Sequence, residues 1–174
     1  MKMTLEYKIG VPVDQAWDLF ATQFADISTW ISGVFISAPQ GHSALPYAPA
    51  GGRVCQIPSG KIQEVIEAFN PELRQIRYKA EGPGFPFIVK FARNTWQFTP
   101  ADTSATHVQV DAHFALKAPF SWFMSPLMKP QIRKVMDGAV RELEYYIKHG
   151  KPHPDKITFD AQPKAIKARQ LALA

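Results

Sequence analysis

The residues from Ser125 to Gly150 carry the longest regular pattern in the chain and predict a long amphipathic helix near its C-terminus. Apolar side chains recur there at intervals of three and four residues, which is the spacing of one helical face. Gly150 ends the pattern. Pro130 predicts a kink between a short first helix and the long one. A helix with one apolar face needs a second apolar surface to cover. That face comprises Met128, Ile132, Val135, Met136, Ala139, Leu143, Tyr146 and Ile147.

The sequence before this helix predicts strands joined by turns. Residues 3–10 alternate apolar and polar side chains, the period-two pattern of a half-buried strand. Two short helices are predicted after it, followed by a proline- and glycine-rich loop over residues 38–52. About six further strand-like segments precede the long helix. We therefore predict an α+β fold in which a curved antiparallel sheet of about seven strands wraps around the long C-terminal helix.

Composition and charge narrow the classes of function. The net charge is +5, and much of it falls in residues 151–174, which we interpret as a basic extension of a domain spanning residues 1–150. The body shows no stripe of basic residues with exposed aromatics, so we do not expect a nucleic-acid partner. No apolar run approaches the roughly 20 residues that span a bilayer, and no signal-peptide core follows Lys2. We therefore expect a cytoplasmic protein without an integral membrane segment.

Several local sequences resemble those of one known superfamily. Pro12 opens a predicted helix that carries Trp17, and a second helix carries Asp26 and Trp30. Further similarities are Gly51-Gly52-Arg53, Glu64-Val65-Ile66-Glu67, Asn70-Pro71, Arg77-Tyr78, Trp96-Gln97-Phe98-Thr99-Pro100 and Gly138-Ala139-Val140-Arg141-Glu142-Leu143. In order and spacing these segments resemble the START-like helix-grip superfamily, and most closely its SRPBCC branch of polyketide cyclase/dehydrase and lipid-transport proteins.

The resemblance covers about residues 3–150 and implies a cavity between a seven-stranded sheet and the C-terminal helix. Such a cavity holds an apolar or amphipathic ligand, for example a lipid, a polyketide or a quinone. The superfamily does not share one catalytic set, so the resemblance leaves the reaction open. By strand and helix periodicity, the expected ligand-binding residues are Ile76, Tyr78, Trp96, Phe98, Val110, Phe114, Met128, Ile132, Val135 and Met136. The alternative is a fully packed core without a cavity.

Two charged residues could give this cavity chemistry. Glu64 alternates with Ile62 and Ile66 and could share their buried face, where it would act as a general acid or base. Arg53 could pair with Glu64 or bind an acidic ligand head. In the alternative phase Glu64 faces water. We assign these two residues a catalytic role only if the protein is an enzyme of the cyclase or dehydratase type.

Other catalytic and cofactor patterns are missing from the sequence. The single cysteine, Cys55, excludes an internal disulfide and is interpreted as packing. No histidine pair has metal-ligand spacing with a carboxylate, and no P-loop, dinucleotide or nucleophile-elbow motif occurs. We therefore predict no metal and no cofactor, and we favour binding, with transport or sequestration as its use, over catalysis.

Two regions outside the core prompt structural expectations. The loop over residues 38–52 and the tip over residues 82–86 are predicted to form a mobile rim, at the same end of the sheet as the segment 119–130. The tail is predicted to place a short amphipathic helix, after an extended linker over residues 152–163, against the body or against a neighbouring subunit. A homo-oligomer is one outcome that the tail allows.

Overall fold

One antiparallel sheet of seven strands forms the frame of the computed structural model, which describes residues 1–119 and 124–173. The strands lie in the order β1-β7-β6-β5-β4-β3-β2, so every neighbouring pair except β1 and β7 is consecutive in the chain. Their bounds are β1 Lys2–Ile9, β2 Ile36–Gln40, β3 Gly52–Ile57, β4 Gly60–Asn70, β5 Gln75–Glu81, β6 Val89–Pro100 and β7 Thr106–Leu116.

The helices are segregated from the strands. After β1, α1 (Val13–Trp17) continues into a π-helical turn (Asp18–Thr22), and a 3-10 helix follows (Phe24–Thr29). The long helix α2 (Ser125–His149) ends at Gly150, whose left-handed φ of 63° terminates it. Two more helices follow, α3 (Pro154–Asp160) and α4 (Pro163–Leu173). No helix in the described part of the chain is long and apolar enough to cross a membrane.

Pro130 lies inside α2 and does not divide it, so the predicted short first helix is wrong. A proline in a helix lacks the N–H that would bond to the carbonyl four residues earlier. Here that carbonyl belongs to Pro126, in the first turn, where the loss of one bond still leaves the remainder of the helix intact. The predicted α+β architecture, with a seven-stranded sheet and a long C-terminal helix, is confirmed.

The inner face of the sheet has two ends that differ in packing. At the first, Trp17 and Phe20 from the short helices cover the strands, with ring centroids 6.2 and 5.4 Å from that of Phe98. We call this the aromatic end. At the other end the inner residues Ala80 and Ala92 are paired across β5 and β6. We call this the alanine end, and it is where β7 leads towards α2.

The expected rim is wrong, because its two loops lie at opposite ends of the sheet. The loop over residues 41–51 joins β2 to β3 at the aromatic end, whereas the loop over residues 82–88 joins β5 to β6 at the alanine end. Consecutive antiparallel strands reverse direction, so successive connections must alternate between ends. The predicted third component of the rim falls partly on residues 120–123, which lie outside the described residues.

The tail packs on the body of its own chain. Phe159 of α3 stacks on Phe35 with a centroid distance of 4.8 Å. The buried ammonium of Lys156 donates to the carbonyl of Val34 at 2.9 Å and to Asp160 at 2.8 Å. The predicted extended linker is wrong, since α3 occupies most of it, with the His153 side chain accepting a hydrogen bond from the backbone N–H of Asp155.

Candidate functional site

A buried ion pair lies on the inner face of the sheet, on β3 and β4. Arg53 and Glu64 are direct partners in the register of these strands, and Arg53 Nε donates to Glu64 Oε2. Arg53 Nη1 donates to the carbonyl of Phe24 in the 3-10 helix. The Arg53 side chain is 2% exposed and that of Glu64 is 13% exposed. The carboxylate therefore keeps some access to the space in front of the sheet while the guanidinium has almost none.

Aromatic rings enclose the guanidinium. The Arg53 Cζ atom lies 3.8 Å from the ring centroid of Phe24 and 5.6 Å from that of Tyr78. Cations over aromatic faces are stabilised by the ring quadrupole, more strongly when water is excluded. Burial lowers the pKa of Arg53, but the charge and hydrogen bond of Glu64, together with Cys55 and Tyr78, outweigh burial and leave the pKa above its ordinary value. Arg53 is thus a permanent positive charge inside the protein, compensated by Glu64.

Cys55 and Tyr78 complete the polar cluster and remain protonated at neutral pH. The Cys55 thiol donates to Glu64 Oε2 at 3.7 Å. Burial, followed by the charge of Glu64, raises the pKa of Cys55 to about 12. The same two causes raise the pKa of Tyr78. A thiol with so high a pKa is a poor nucleophile, so the cluster offers a carboxylate, a guanidinium and a phenol as its chemical groups.

Two buried polar atoms of β6 beside this cluster, Trp96 Nε1 and Asn94 Oδ1, have no hydrogen-bond partner within the described protein, and neither has Trp30 Nε1 elsewhere in the core. Asn94 is the register partner of Tyr78, and Trp96 lies two residues further along the inner face of β6. The Trp96 and Asn94 side chains are both near the Tyr78 hydroxyl without meeting hydrogen-bond geometry. Buried polar groups are nearly always satisfied, so a polar group of a bound molecule could complete this set.

The inner side chains next to the cluster are smallest at the alanine end. Ala80, Ala92 and Ala112 lie there on neighbouring strands, and all three are buried. Residual exposure there is 9% for Phe114 and Ile132 and 8% for Met136, compared with 0–1% for Ile76, Phe98 and Val110. Trp17 at the aromatic end keeps a similar exposure of 8%, so the two ends differ in the size of their inner side chains and not in how deeply they are buried.

Two cavities stand out in the described structure. One, of about 460 Å³, opens between β1 and the first turns of α2, and its lining residues are Lys2, Met3, Thr4, Lys129, Pro130 and Arg133. The other, of about 580 Å³, lies on the outer face of β2 and β3 beneath α4. Neither touches Tyr78, Trp96, Phe98 or Met136, so the ligand-binding role of these residues stays a prediction.

The structure places most of the predicted site residues on the predicted face. Glu64 shares the inner face with Ile62 and Ile66, and Arg53 is its partner. Of the two strand phases that the sequence allowed, this is the one in which Glu64 does not face water. Nine of the ten predicted ligand-binding residues point inward. Of these, Met128 is half-buried and the other eight are buried, namely Ile76, Tyr78, Trp96, Phe98, Val110, Phe114, Ile132 and Met136.

Val135 is the exception and its prediction is wrong, because it is 65% exposed. The buried stripe of α2 runs through Ile132, Met136, Val140 and Leu143. That stripe is rotated towards Val140, which leaves Val135 on the solvent side. Periodicity fixes the spacing of a helical face, but its width and centre depend on the surface that it covers.

Three buried polar residues, Asn94, Cys55 and Trp30, were not among the predicted site residues. Asn94 alternates with Ala92 and Trp96, so the period-two argument that found Trp96 could have found it. Cys55 has the same relation to Arg53 on β3. No sequence signal indicated that the Trp30 indole is left without a partner, since its environment is assembled from elements distant in sequence.

One group of potential metal ligands occurs at the junction of α2 with the tail. Atoms of Glu142, His153 and Asp155 lie within 4.8 Å of one another. Glu142 accepts from the backbone N–H of Ser32, and Asp155 pairs with Arg141. These contacts account for the arrangement as a structural link between α2, α3 and the segment before β2.

Comparisons with known proteins agree with this architecture. A family model described as polyketide cyclase/dehydrase and lipid transport matches residues 1–148. Comparison with curated proteins finds no match. Among solved structures, the chain is similar to an uncharacterised protein from Bacillus thuringiensis, with 18% identity, 84% of this chain and 98% of that chain covered, and a TM-score of 0.68.

Two further structures share the fold. A START superfamily protein from Mycobacterium smegmatis has 11% identity, a TM-score of 0.68, and coverage of 84% of this chain and 97% of that one. Norcoclaurine synthase from Thalictrum flavum has 13% identity, a TM-score of 0.60, and coverage of 86% and 87%. At these identities the likeness concerns the fold alone. The family model spans most of the chain, and the chain therefore belongs to the polyketide cyclase/dehydrase and lipid-transport family.

Proposed function

We propose that the protein binds a small hydrophobic or amphipathic molecule between the inner face of the sheet and α2. The observation that carries this proposal is the buried cluster around Arg53 and Glu64, next to polar atoms that have no partner in the described protein. Polar groups in an otherwise apolar space are the usual means by which a protein orients an apolar ligand.

The cluster also indicates what kind of ligand would fit. Trp96 offers an N–H, and Asn94 offers a carbonyl oxygen. A ligand with a carbonyl or hydroxyl group at one end of an apolar body would satisfy them, as a polyketide, a quinone or a lipid does. We propose that the apolar body lies towards Ala80 and Ala92, where the inner side chains are small.

Tryptophan fluorescence tests this proposal, since Trp96 lies beside the cluster. The full chain would be titrated with a short-chain quinone and with a polycyclic phenol, both uncharged. We expect a saturable change in emission with at least one of the two probes. Ala92→Phe fills the proposed space and should abolish that saturable change. The matched variant Thr95→Phe adds the same ring on the outer face of β6 and should titrate as the wild type does. No saturation by either probe in the wild-type chain contradicts the proposal for these ligand classes.

A second candidate function is catalysis of the cyclase or dehydratase type, with Glu64 as general base or acid. The observation that favours it is the partial exposure of Glu64 on the inner face, while Arg53 and Cys55 both engage its Oε2 atom. A norcoclaurine synthase of the same fold has been solved with dopamine and hydroxybenzaldehyde, so this fold accommodates small aromatic molecules.

Glu64→Gln separates the two functions because it keeps the shape and removes the proton-transfer group. In an enzyme it should abolish turnover of a candidate polyketide substrate while leaving apolar ligand affinity within about tenfold, or 1.4 kcal/mol. If turnover is found and Glu64→Gln retains it, Glu64 has no catalytic role.

A further inference from the structure

The crevice beneath α4 is apolar inside and lies outside the sheet–α2 space. It has a volume of about 580 Å³, within the range of roughly 300–1,000 Å³ found for small-molecule pockets. The outer side chains of β2 and β3, together with Phe35, form one wall, and α4 forms the other. The apolar lining includes Phe35, Ile36, Val54, Ile57, Ala168 and Leu171.

Three lysines line the same crevice: Lys61 from the start of β4, and Lys164 and Lys167 from α4. Within the described part of the chain none of the three forms an ion pair. The nearby carboxylate of Asp160 is already engaged by Lys156 and Arg169. The crevice thus combines an apolar interior with three positive charges that have no internal counterion.

That combination selects for a particular chemistry. An apolar chain is favoured by the interior, because it removes hydrocarbon surface from water. An anionic group is favoured at the lysines, because opposite charges attract and no carboxylate of the protein competes for them. A neutral amphiphile would gain only from the burial of its hydrocarbon chain, and a cationic amphiphile would be repelled by the lysines.

We propose that this crevice is a second ligand site, which takes a single-chain anionic amphiphile of the fatty-acid class. The chain lies between α4 and the outer faces of β2 and β3, and the carboxylate lies among Lys61, Lys164 and Lys167. The site is independent of the Arg53–Glu64 cluster, because β3 separates the two faces. Its occupant bridges the tail to the sheet, so binding also stabilises the docked tail.

Calorimetric titration of the full chain with dodecanoate, below its micelle concentration, tests the proposal. We expect saturable binding of dodecanoate and weaker binding of dodecanol. The double variant Lys164→Gln/Lys167→Gln should weaken dodecanoate binding by about tenfold, since it removes two charge contacts. The control Lys134→Gln/Lys151→Gln makes the same change in net charge at exposed lysines elsewhere and should bind within about twofold of the wild type.

A second pair of variants assigns the binding to one face of the sheet. Ala168→Phe fills the crevice without altering charge and should abolish the dodecanoate binding that depends on Lys164 and Lys167, whereas Ala92→Phe fills the inner space and should leave that binding unchanged. The opposite result, or equal weakening in the two lysine double variants, overturns the proposal. So does binding of the wild type to phosphatidylglycerol vesicles without any binding of free dodecanoate, because the lysines would then serve a membrane surface.

Discussion

Arg53 and Glu64 face each other across β3 and β4, and the arginine is the more deeply buried partner, with 2% of its side chain exposed against 13% for the glutamate. A buried charge without a partner costs several kcal/mol, whereas a compensated pair can be close to neutral. The pair therefore favours the strand register that places Arg53 and Glu64 together on the inner face. Arg53 also anchors the 3-10 helix through its hydrogen bond to the Phe24 carbonyl.

The loss of stability from replacing both partners of this pair should be smaller than the sum of the losses from replacing each partner alone. We expect Arg53→Met to lower the free energy of unfolding by about 3 kcal/mol, because Glu64 loses its only guanidinium. Glu64→Gln should lower the free energy of unfolding by less than Arg53→Met does. The double variant should lower it by at least about 1 kcal/mol less than the sum of the two single losses. Urea unfolding of the four proteins measures this coupling.

The matched control for that cycle is the exposed pair of Arg74 and Asp14, in which the aspartate side chain is 80% exposed. Asp14→Asn should change the free energy of unfolding by no more than about 0.5 kcal/mol. Additive effects at Arg53 and Glu64 would show that the two side chains do not interact in solution.

Cys55 should make stability depend on pH in the alkaline range. Burial, and then Glu64, raises the thiol pKa from 9.0 to about 12 in the folded chain. Between these values the folded state holds more protons than the unfolded one, so the free energy of unfolding falls as pH rises. The stability difference between the wild type and Cys55→Ala should be constant below about pH 9 and decrease above it. Urea unfolding at several pH values checks this, and parallel curves would contradict it.

Phe159 should contribute measurably to stability through its contact with Phe35. The two rings stack at 4.8 Å, so Phe159→Ala should lower the free energy of unfolding by about 2 kcal/mol. Ile157→Ala, at a nearby residue of α3 that is 57% exposed, should change it by less than about 0.5 kcal/mol.

Removing residues 154–174 should lower the melting temperature. An unchanged melting temperature would mean that the tail does not stay docked.

The sequence allowed the frame and much of the polar cluster to be predicted because alternation along a strand is a local property. Glu64, Tyr78 and Trp96 share a face for that reason, since each one is placed by its immediate neighbours on its own strand. Packing between distant segments is not local. Phe20 lies 4.3 Å from Trp96, and alternation along β6 does not indicate this contact with a distant helix.

The misplaced elements have similarly physical causes. Val135 satisfied helical periodicity, but α2 packs against β1 and the short helices after it, and the stripe buried there is centred closer to Val140. The loop over residues 41–51 was assigned to the wrong end of the sheet. Its proline- and glycine-rich composition indicates a mobile loop but does not indicate the direction of the strands that it joins. Pro152, Pro154 and Pro163 suggested an extended linker, yet Pro154 suits the first turn of a helix.

Native mass spectrometry of the gently purified full chain tests the central claim most directly, since it detects a bound small molecule without assuming its identity. We expect the wild type and Thr95→Phe to carry an adduct that organic extraction releases as an apolar or amphipathic compound. Ala92→Phe, folded by circular dichroism, should lack that adduct, and Ala168→Phe should retain it. An adduct kept in full by Ala92→Phe, or no adduct and no binding of added quinone or polycyclic phenol by the wild type, would contradict a ligand site between the sheet and α2.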